Sequence, residues 1–171
     1  MVFVPFCFNH YAYTSYGRKG KGETQLRLRE ELPEFSSDME WLNGSVTKEK
    51  LIGEVPLLIH FWSISCHLCD KTYGIINRWK KTYGDKFQLV GIHMPITKED
   101  VNNTLIKQKA ERMSMTNSIY LDHDLVVSDK FQNRIVPSFY LFDKKGLLRH
   151  VQTGESGFRM LEKRLILLMK D

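Results

Sequence analysis

Two cysteines, Cys66 and Cys69, are separated by two residues in the run Cys-His-Leu-Cys. A thiolate can attack a disulfide, and a second thiol nearby can resolve the mixed disulfide that results. On a helix, two intervening residues place the second cysteine one turn along, where it can reach back to the first without backbone movement. The spacing therefore predicts a dithiol/disulfide redox couple.

The cysteine pair lies at a predicted strand-to-helix turn. A continuous apolar run from Leu57 to Trp62 is typical of a buried strand. Four apolar residues after the pair recur at the spacing of one helix face: Ile75, Ile76, Trp79 and Tyr83. We therefore expect Cys66 at the N-terminus of a helix that ends near Gly84. Unpaired backbone N–H groups and the helix dipole there stabilise a thiolate and lower its pKa from about 8.5.

The composition is typical of one soluble globular domain with a substantial core. The chain has 171 residues, of which 42% are hydrophobic and 26% charged. Of the formal net charge of +5, residues 1–25 contribute +2, and the remaining +3 is spread along residues 26–171 and forms no basic stripe or nucleic-acid-binding motif. We therefore predict no nucleic-acid partner, and a monomer is the simplest oligomeric state.

Cysteine usage and hydropathy indicate a reducing compartment. The chain has three cysteines, Cys7, Cys66 and Cys69, which is too few for a secreted disulfide scaffold. A closed zinc site needs four ligands, commonly two such pairs, so we expect no metal site. No stretch approaches the ~20 apolar residues of a membrane span, and the N-terminus does not resemble a signal peptide. The prediction is a cytoplasmic protein without membrane association.

Residues 1–25 differ from the rest of the chain. They are rich in aromatic residues up to Tyr16 and then carry a glycine-rich basic run. We interpret them as a disordered tail or an over-extended gene start, with translation beginning at Leu26. Residues 26–171 are predicted to form a single domain, and the tail is assigned no function.

The remaining pattern predicts alternating strands and helices. The predicted elements are, in order, a short N-terminal hairpin turning at Asn43-Gly44, a strand over 87–93, a helix over 97–113, a strand over 119–121, a helix over 124–131, a hairpin of strands over 138–142 and 147–152, and a final helix capped by Ser156. The helix over 97–113 is expected to bury Val101, Leu105 and Ala110. This order predicts an α/β domain with a mixed central sheet flanked by helices.

Three motifs carry a resemblance to a known family. They are the run from Phe61 to Cys69, the tripeptide Ile135-Val136-Pro137, and the turn sequence Phe142-Asp143-Lys144-Lys145-Gly146. Together with the element order, these motifs resemble the thioredoxin fold. The extra helix over 97–113 and the N-terminal hairpin are similar to the TlpA/ResA branch of thioredoxin-like thiol-disulfide oxidoreductases. The resemblance covers residue 26 to the C-terminus.

The resemblance implies roles for five residues. Cys66 would be the attacking cysteine and Cys69 the resolving one. Pro137 would be a cis-proline lying against the disulfide, Val136 would offer its backbone to the substrate chain, and Trp62 would wall the site. The substrates implied are disulfide-containing proteins, and the electron donor implied is a thioredoxin reductase-like system. No cofactor is expected beyond the Cys66–Cys69 disulfide, and the cytoplasmic setting favours the reductase direction.

The sequence departs from thioredoxin at several positions near the pair. His60 stands where thioredoxin has a buried carboxylate, and it is either a hydrogen-bonded core residue or a proton-transfer group. His67, between the cysteines, either favours the thiolate when protonated or is simply exposed. Thr72 replaces the glutamate of the cytochrome-maturation members, which argues against that role.

Two other functions remain open on the sequence alone. A copper-delivery protein of the Sco type would use the cysteine pair with a distant histidine such as His123, although its usual cysteine spacing is three residues rather than two. A thiol peroxidase would surround its cysteine with proline, threonine and arginine, and no such setting accompanies Cys66.

Overall fold

A computed structural model describes residues 7–8, 26–35 and 40–171, and in this part of the chain eight strands and five α-helices form. The strands are β1 (Cys7–Phe8), β2 (Trp41–Leu42), β3 (Leu57–Trp62), β4 (Gln88–His93), β5 (Ile119–Leu121), β6 (Ile135–Val136), β7 (Ser138–Phe142) and β8 (Leu148–Thr153). The helices are α1 (Lys48–Leu51), α2 (His67–Tyr83), α3 (Asn103–Arg112), α4 (Val126–Lys130) and α5 (Phe158–Leu168). Short 3-10 helices cover Gly84–Lys86 and Lys98–Val101.

Six of these strands form one mixed sheet in the order β2-β5-β4-β3-β7-β8. β3 runs parallel to β4, and β4 parallel to β5, whereas β2, β7 and β8 pair antiparallel with their neighbours. All six residues of β3 are buried, as expected for a central strand that is covered on both faces. The sheet and its flanking helices form a thioredoxin-like fold, which confirms the predicted fold class.

Aromatic side chains fill the core on both faces of the sheet. On one face, Phe139 of β7 packs against Phe158 of α5, with ring centroids 4.9 Å apart, and Trp79 of α2 lies 5.6 Å from the same Phe158 ring. On the other face, Phe61 of β3 meets the edge-on ring of Phe131 at 5.2 Å. α2 and α5 therefore pack on one face of the sheet, and the end of α4 packs on the other.

The predicted N-terminal hairpin is wrong, although its turn forms. Asn43 and Gly44 both have positive φ, 61° and 92°. β2, however, pairs with Ile119–Tyr120 of β5. The amide of Asn43 donates to the carbonyls of Met115 and Asn117, at 2.8 and 3.1 Å, which ties the turn to the segment before β5. The turn therefore delivers β2 to the edge of the central sheet instead of folding it back on itself.

The predicted helix over 97–113 is interrupted. A 3-10 helix ends at Val101, and α3 then starts anew with the Asn102 side chain accepting from the Leu105 N–H at 3.1 Å. The interruption changes which residues face the core. Ala110 is buried as predicted, together with Ile106, whereas Val101 and Leu105 are each 44% exposed, so their prediction as inner residues is wrong.

Of the first 25 residues, only Cys7–Phe8 belong to the described part of the chain, where they form β1 and pair antiparallel with β6. The predictions of a disordered tail and of a start at Leu26 otherwise concern residues outside the described ones. Among the described residues, none of the helices combines the length and the apolar character needed to cross a membrane.

Candidate active site

The cysteine pair lies where β3 turns into α2. The helix starts at His67 with Cys66 as its N-cap, and it ends at Tyr83 before Gly84, which confirms the predicted bounds. The Cys66 N–H donates to the carbonyl of Ser63, and the Cys69 N–H donates to the carbonyl of Cys66, both at 3.2 Å. These bonds close a tight turn that places Cys66 at the N-terminal end of the helix.

Cys66 and Cys69 are joined in a disulfide whose Cα atoms lie 5.4 Å apart, within the ordinary range for disulfides. Both residues are 0% exposed. On reduction, the N-terminal end of α2 stabilises the Cys66 thiolate by its dipole and its unpaired N–H groups. The structure thus places the two cysteines as one redox pair in the oxidised state.

A buried carboxylate, which the sequence analysis did not single out, anchors the turn before Cys66. Asp100 accepts hydrogen bonds from the hydroxyls of Ser63, at 2.6 Å, and Ser65. The same carboxylate accepts from the N–H groups of Ile96 and Thr97, at 2.9 and 3.2 Å. Burial raises the pKa of Asp100, but these hydrogen bonds outweigh burial and hold the pKa below its usual value. The carboxylate is therefore ionised at neutral pH.

Part of this arrangement has a signature in the sequence. Thr97 and Asp100 form a capping box at the start of the 3-10 helix, and a Thr-x-x-acidic spacing is typical of that motif. The pattern could have indicated a helix start with Asp100 in its first turn. The bonds to Ser63 and Ser65 join residues 37 and 35 positions apart, so local spacing could not have predicted them.

His60 lies in the middle of β3, beneath the helix that carries the cysteines. Its ring stacks on Phe139 at 4.8 Å and faces Tyr73 at 5.7 Å, one helical turn after Cys69. Within the described part of the chain neither ring nitrogen has a hydrogen-bond partner, so the predicted hydrogen bonding of this residue is wrong. Burial lowers the pKa of His60 to about 3, and the ring is therefore uncharged at neutral pH.

Trp62 ends β3 on the same face as His60. The indole is fully buried and packs edge-on against His93 of β4, with centroids 5.1 Å apart. Gly91 lies beside the indole, and a Cβ at that position would crowd the side chains of Ile119 and Asn117, at 3.2 and 3.3 Å. His93 accepts from the Ile64 N–H at 3.4 Å, and burial lowers its pKa to about 3. Trp62 and a neutral His93 thus support the turn that leads to the cysteines.

Val136 and Pro137 lie at the same end of the sheet as the cysteine pair. The peptide bond between them is cis, and Val136 is fully buried. Phe61 is in register with Ser138, so Pro137 is level with the carboxyl end of β3, from which the chain turns into Cys66. The Pro137 carbonyl accepts from the Gly154 N–H at 2.9 Å, which fixes this loop to the end of β8.

The remaining predicted residues differ in their surroundings. His67 is exposed at the first position of α2. Thr72 is buried, and its hydroxyl donates to the Leu68 carbonyl at 3.0 Å within the helix. His123 contacts the amide oxygen of Asn103 at 2.8 Å. In the described ranges, no three of the residues His, Cys, Asp or Glu are grouped so that they could hold a metal ion, so the structure does not unite His123 with the cysteine pair as a copper site.

Comparison with known proteins places the chain among redox proteins. No family model matches the chain. It is 46% identical over 140 residues to the thiol-disulfide oxidoreductase YkuV of Bacillus subtilis, a match that covers 82% of this chain and 95% of YkuV. The thioredoxin-like protein YneN of the same bacterium is 22% identical over 90% of this chain and 85% of its own length.

The solved structures agree with this placement. A solution structure of a thioredoxin-like protein in its oxidised form is 45% identical, with a TM-score of 0.77 over 84% of this chain and 97% of that protein. Sequence similarity, fold and the Cys66–Cys69 disulfide all indicate the same chemistry. The chain belongs to the thioredoxin-like thiol-disulfide oxidoreductases of the TlpA/ResA branch, the family of YkuV.

Proposed function

We propose that the chain is a cytosolic reductase of protein disulfides. The observation that carries the proposal is the Cys66–Cys69 disulfide at the N-terminus of α2, level with the Val136–Pro137 bond of the neighbouring loop. A thiol at a helix N-terminus is ionised to a larger extent near neutral pH because its thiolate is stabilised, and the thiolate is the form that attacks. A second sulfur one turn along can then attack the mixed disulfide and release the reduced substrate.

The reaction begins from the reduced pair. The Cys66 thiolate attacks one sulfur of a substrate disulfide, so that a Cys66–substrate bond forms and the other substrate sulfur leaves as a thiolate. Cys69 then loses its proton and attacks the Cys66 sulfur. This second step releases the reduced substrate and restores the Cys66–Cys69 disulfide. Two electrons pass from the cysteine pair to the substrate.

The loop before β7 is proposed to hold the substrate chain. An extended peptide that pairs with a strand edge gains main-chain hydrogen bonds that do not depend on its sequence. Val136 would provide that edge beside Pro137, and Trp62 would support the turn from behind. Protein disulfides in many sequence contexts would then be suitable substrates.

His67 and His60 are proposed to affect the chemistry in different ways. His67 is exposed beside Cys66, and in its protonated form it adds a positive charge that favours the thiolate. His60, whose pKa is lowered to about 3 by burial, is a poor proton acceptor near pH 7. We assign it an uncharged packing role beneath α2 and no proton transfer.

The reductase direction and the cytosolic setting belong together. Cytosolic thiols are kept reduced, so a disulfide pair there acts as an electron donor when a reductase recharges it. We propose a thioredoxin reductase-like donor, no cofactor beyond the disulfide, and a monomer.

Reduction of a model protein disulfide, such as insulin in the presence of dithiothreitol, tests the proposal. Cys66→Ser should lower the rate at least ~100-fold, because it removes the nucleophile. In a separate incubation without dithiothreitol, Cys69→Ser combined with Cys7→Ser, which leaves Cys66 as the one cysteine, should form a long-lived mixed disulfide between Cys66 and the substrate, detectable by mass. Binding of Cu(I) at one equivalent by a native chain that reduces no disulfide would instead favour copper delivery.

A further inference from the structure

The N-terminal strand occupies the edge that the proposed function assigns to the substrate. β1 lies antiparallel to β6, with Cys7 opposite Val136 and Phe8 opposite Ile135. A peptide that adds to a strand edge uses the same main-chain groups that β1 uses here. A substrate chain and β1 therefore compete for one edge.

The site is closed in the arrangement that contains β1. Cys66 and Val136 are each 0% exposed. A thiol that attacks a protein disulfide has to be reached by that disulfide, and reactive cysteines are accordingly at least partly accessible. The state in which β1 is paired is therefore one from which a protein substrate is shut out.

The register places a third cysteine at this closed edge. Residues directly opposite each other in an antiparallel pair have Cα atoms about 4.5–5.5 Å apart, so the backbone of Cys7 lies one strand from Val136. Pro137 follows Val136 and is level with the end of β3, where the chain turns into Cys66. The backbone of Cys7 is thus held at the end of the sheet that carries the redox pair.

We propose that β1 is a built-in occupant of the substrate edge and that Cys7 exchanges with the Cys66–Cys69 disulfide. The Cys7 thiolate attacks the Cys66 sulfur, the Cys7–Cys66 bond forms, the Cys66–Cys69 bond breaks, and Cys69 leaves as a thiolate. The exchange involves no net oxidation and needs no further reactant. It rests on the proposed function, because it takes Cys66 as the reacting sulfur. In the resulting self-blocked state, Cys66 is bonded to Cys7 and β1 occupies the substrate edge. A substrate reaches Cys66 only after it displaces both.

Disulfide mapping in the full-length chain tests the inference. In Cys69→Ser, Cys7 and Cys66 are the two remaining cysteines. Equilibration with oxidised glutathione first places glutathione on Cys66, and Cys7 then displaces it, so that two electrons pass to glutathione in all. Free thiols are alkylated, and the unreduced protein is digested with trypsin. We expect peptide 1–18 linked to peptide 51–71 in monomeric protein.

The matched control is Cys66→Ser, in which the same two peptides carry Cys7 and Cys69. The linked pair should be at least ~10-fold more abundant in Cys69→Ser than in this control, because the nucleophile of the site is Cys66. Cys69→Ala provides a second background in case a serine hydroxyl at this buried position prevents folding. Equal linkage in both variants would mean random collision of a mobile tail and would overturn the inference. Glutathione adducts alone, or linkage only between two chains, would also overturn it.

The experiments distinguish a failure of this inference from a failure of the proposed function. A reversible Cys66–Cys69 couple in the native chain, together with no Cys7 linkage in either background, would reject the self-blocked state and leave the oxidoreductase chemistry intact. Failure of the native pair to cycle between dithiol and disulfide would reject the proposed function itself.

Discussion

At the scale of single residues, His60 is an ionisable side chain in a fully buried position, where burial favours the neutral form of the ring. The ring is fully buried between Phe139 and Tyr73, and burial lowers its pKa to about 3 from an ordinary value of 6.5. Between these two pH values the unfolded chain binds a proton that the folded chain does not bind. The stability associated with a neutral His60 is therefore fully present above about pH 6.5 and decreases as the pH falls toward 3.

The substitution His60→Leu should make the protein less sensitive to acid. Each group with such a lowered pKa removes up to about 1.4 kcal/mol of stability per pH unit below 6.5. The pKa of His93 is lowered to the same value and that of His150 is lowered by burial too, so the variant should retain at least half of the stability loss that histidines cause. Urea unfolding at pH 8, 6 and 4.5 measures this loss. At pH 8 the histidine is neutral in both the folded and the unfolded chain, so the difference in stability there comes from the change in packing alone. A variant whose stability falls as steeply with pH as that of the native chain would contradict the assignment.

At the scale of elements, Asp100 joins the turn before α2 to the 3-10 helix before α3. Its carboxylate holds Ser63 and Ser65 on one side and the N–H groups of Ile96 and Thr97 on the other. The position of Cys66 thus depends on a carboxylate distant in sequence. Because the pKa of Asp100 is held low, its contribution to stability is present above the unfolded value near 4 and is lost as the pH falls through the folded value.

Asp100→Asn should destabilise the fold by about 1–3 kcal/mol at pH 7. The amide has one acceptor oxygen in place of two, and its NH2 group would face hydroxyl or N–H groups that are themselves donors. The difference from the native chain should shrink below about pH 4, where the unfolded chain binds a proton at this carboxyl, and should be smallest once the pH falls below the lowered folded pKa and the native carboxylate is protonated as well. Urea unfolding measures both effects. Glu99→Gln, an exposed carboxylate on the same 3-10 helix, is the control and should change stability by less than about 0.5 kcal/mol. Equal effects of the two substitutions would exclude Asp100 as the anchor.

Elements with a long, consistent pattern could be predicted from the sequence. β3 and α2 were, because an apolar run and a helical stripe meet at the cysteine pair and Gly84 ends the helix. The hairpin at Asn43-Gly44 could not be predicted correctly, because the turn residues specify local φ angles but not the strand with which β2 pairs. The interruption at Asn102 could not be predicted, because the helical pattern continues on both sides of it. Only the hydrogen bond from the Leu105 N–H to the Asn102 side chain marks the start of a new helix.

At the scale of the whole molecule, the fold follows from the order of strands and helices, whereas the surroundings of the redox pair depend on contacts between distant segments. Cys66 and Cys69 lie three positions apart in the sequence, so their role could be inferred from spacing. The anchoring by Asp100 and the pairing of Cys7 with Val136 join segments far apart in the chain. No local sequence pattern indicates such contacts. Residues 1–25 have no helical or strand periodicity that could have predicted β1 at the active-site end of the sheet.

The reduction potential of the Cys66–Cys69 couple decides whether this oxidoreductase is a reductase. Equilibration of the native chain with defined thiol/disulfide buffers gives the value, and Cys7→Ser measured in parallel isolates the pair from exchange with the N-terminal strand. We predict a potential of about −270 mV, at which a cytosolic donor can keep the pair reduced. A value of about −120 mV would identify an oxidant and contradict both the reductase direction and the cytosolic setting.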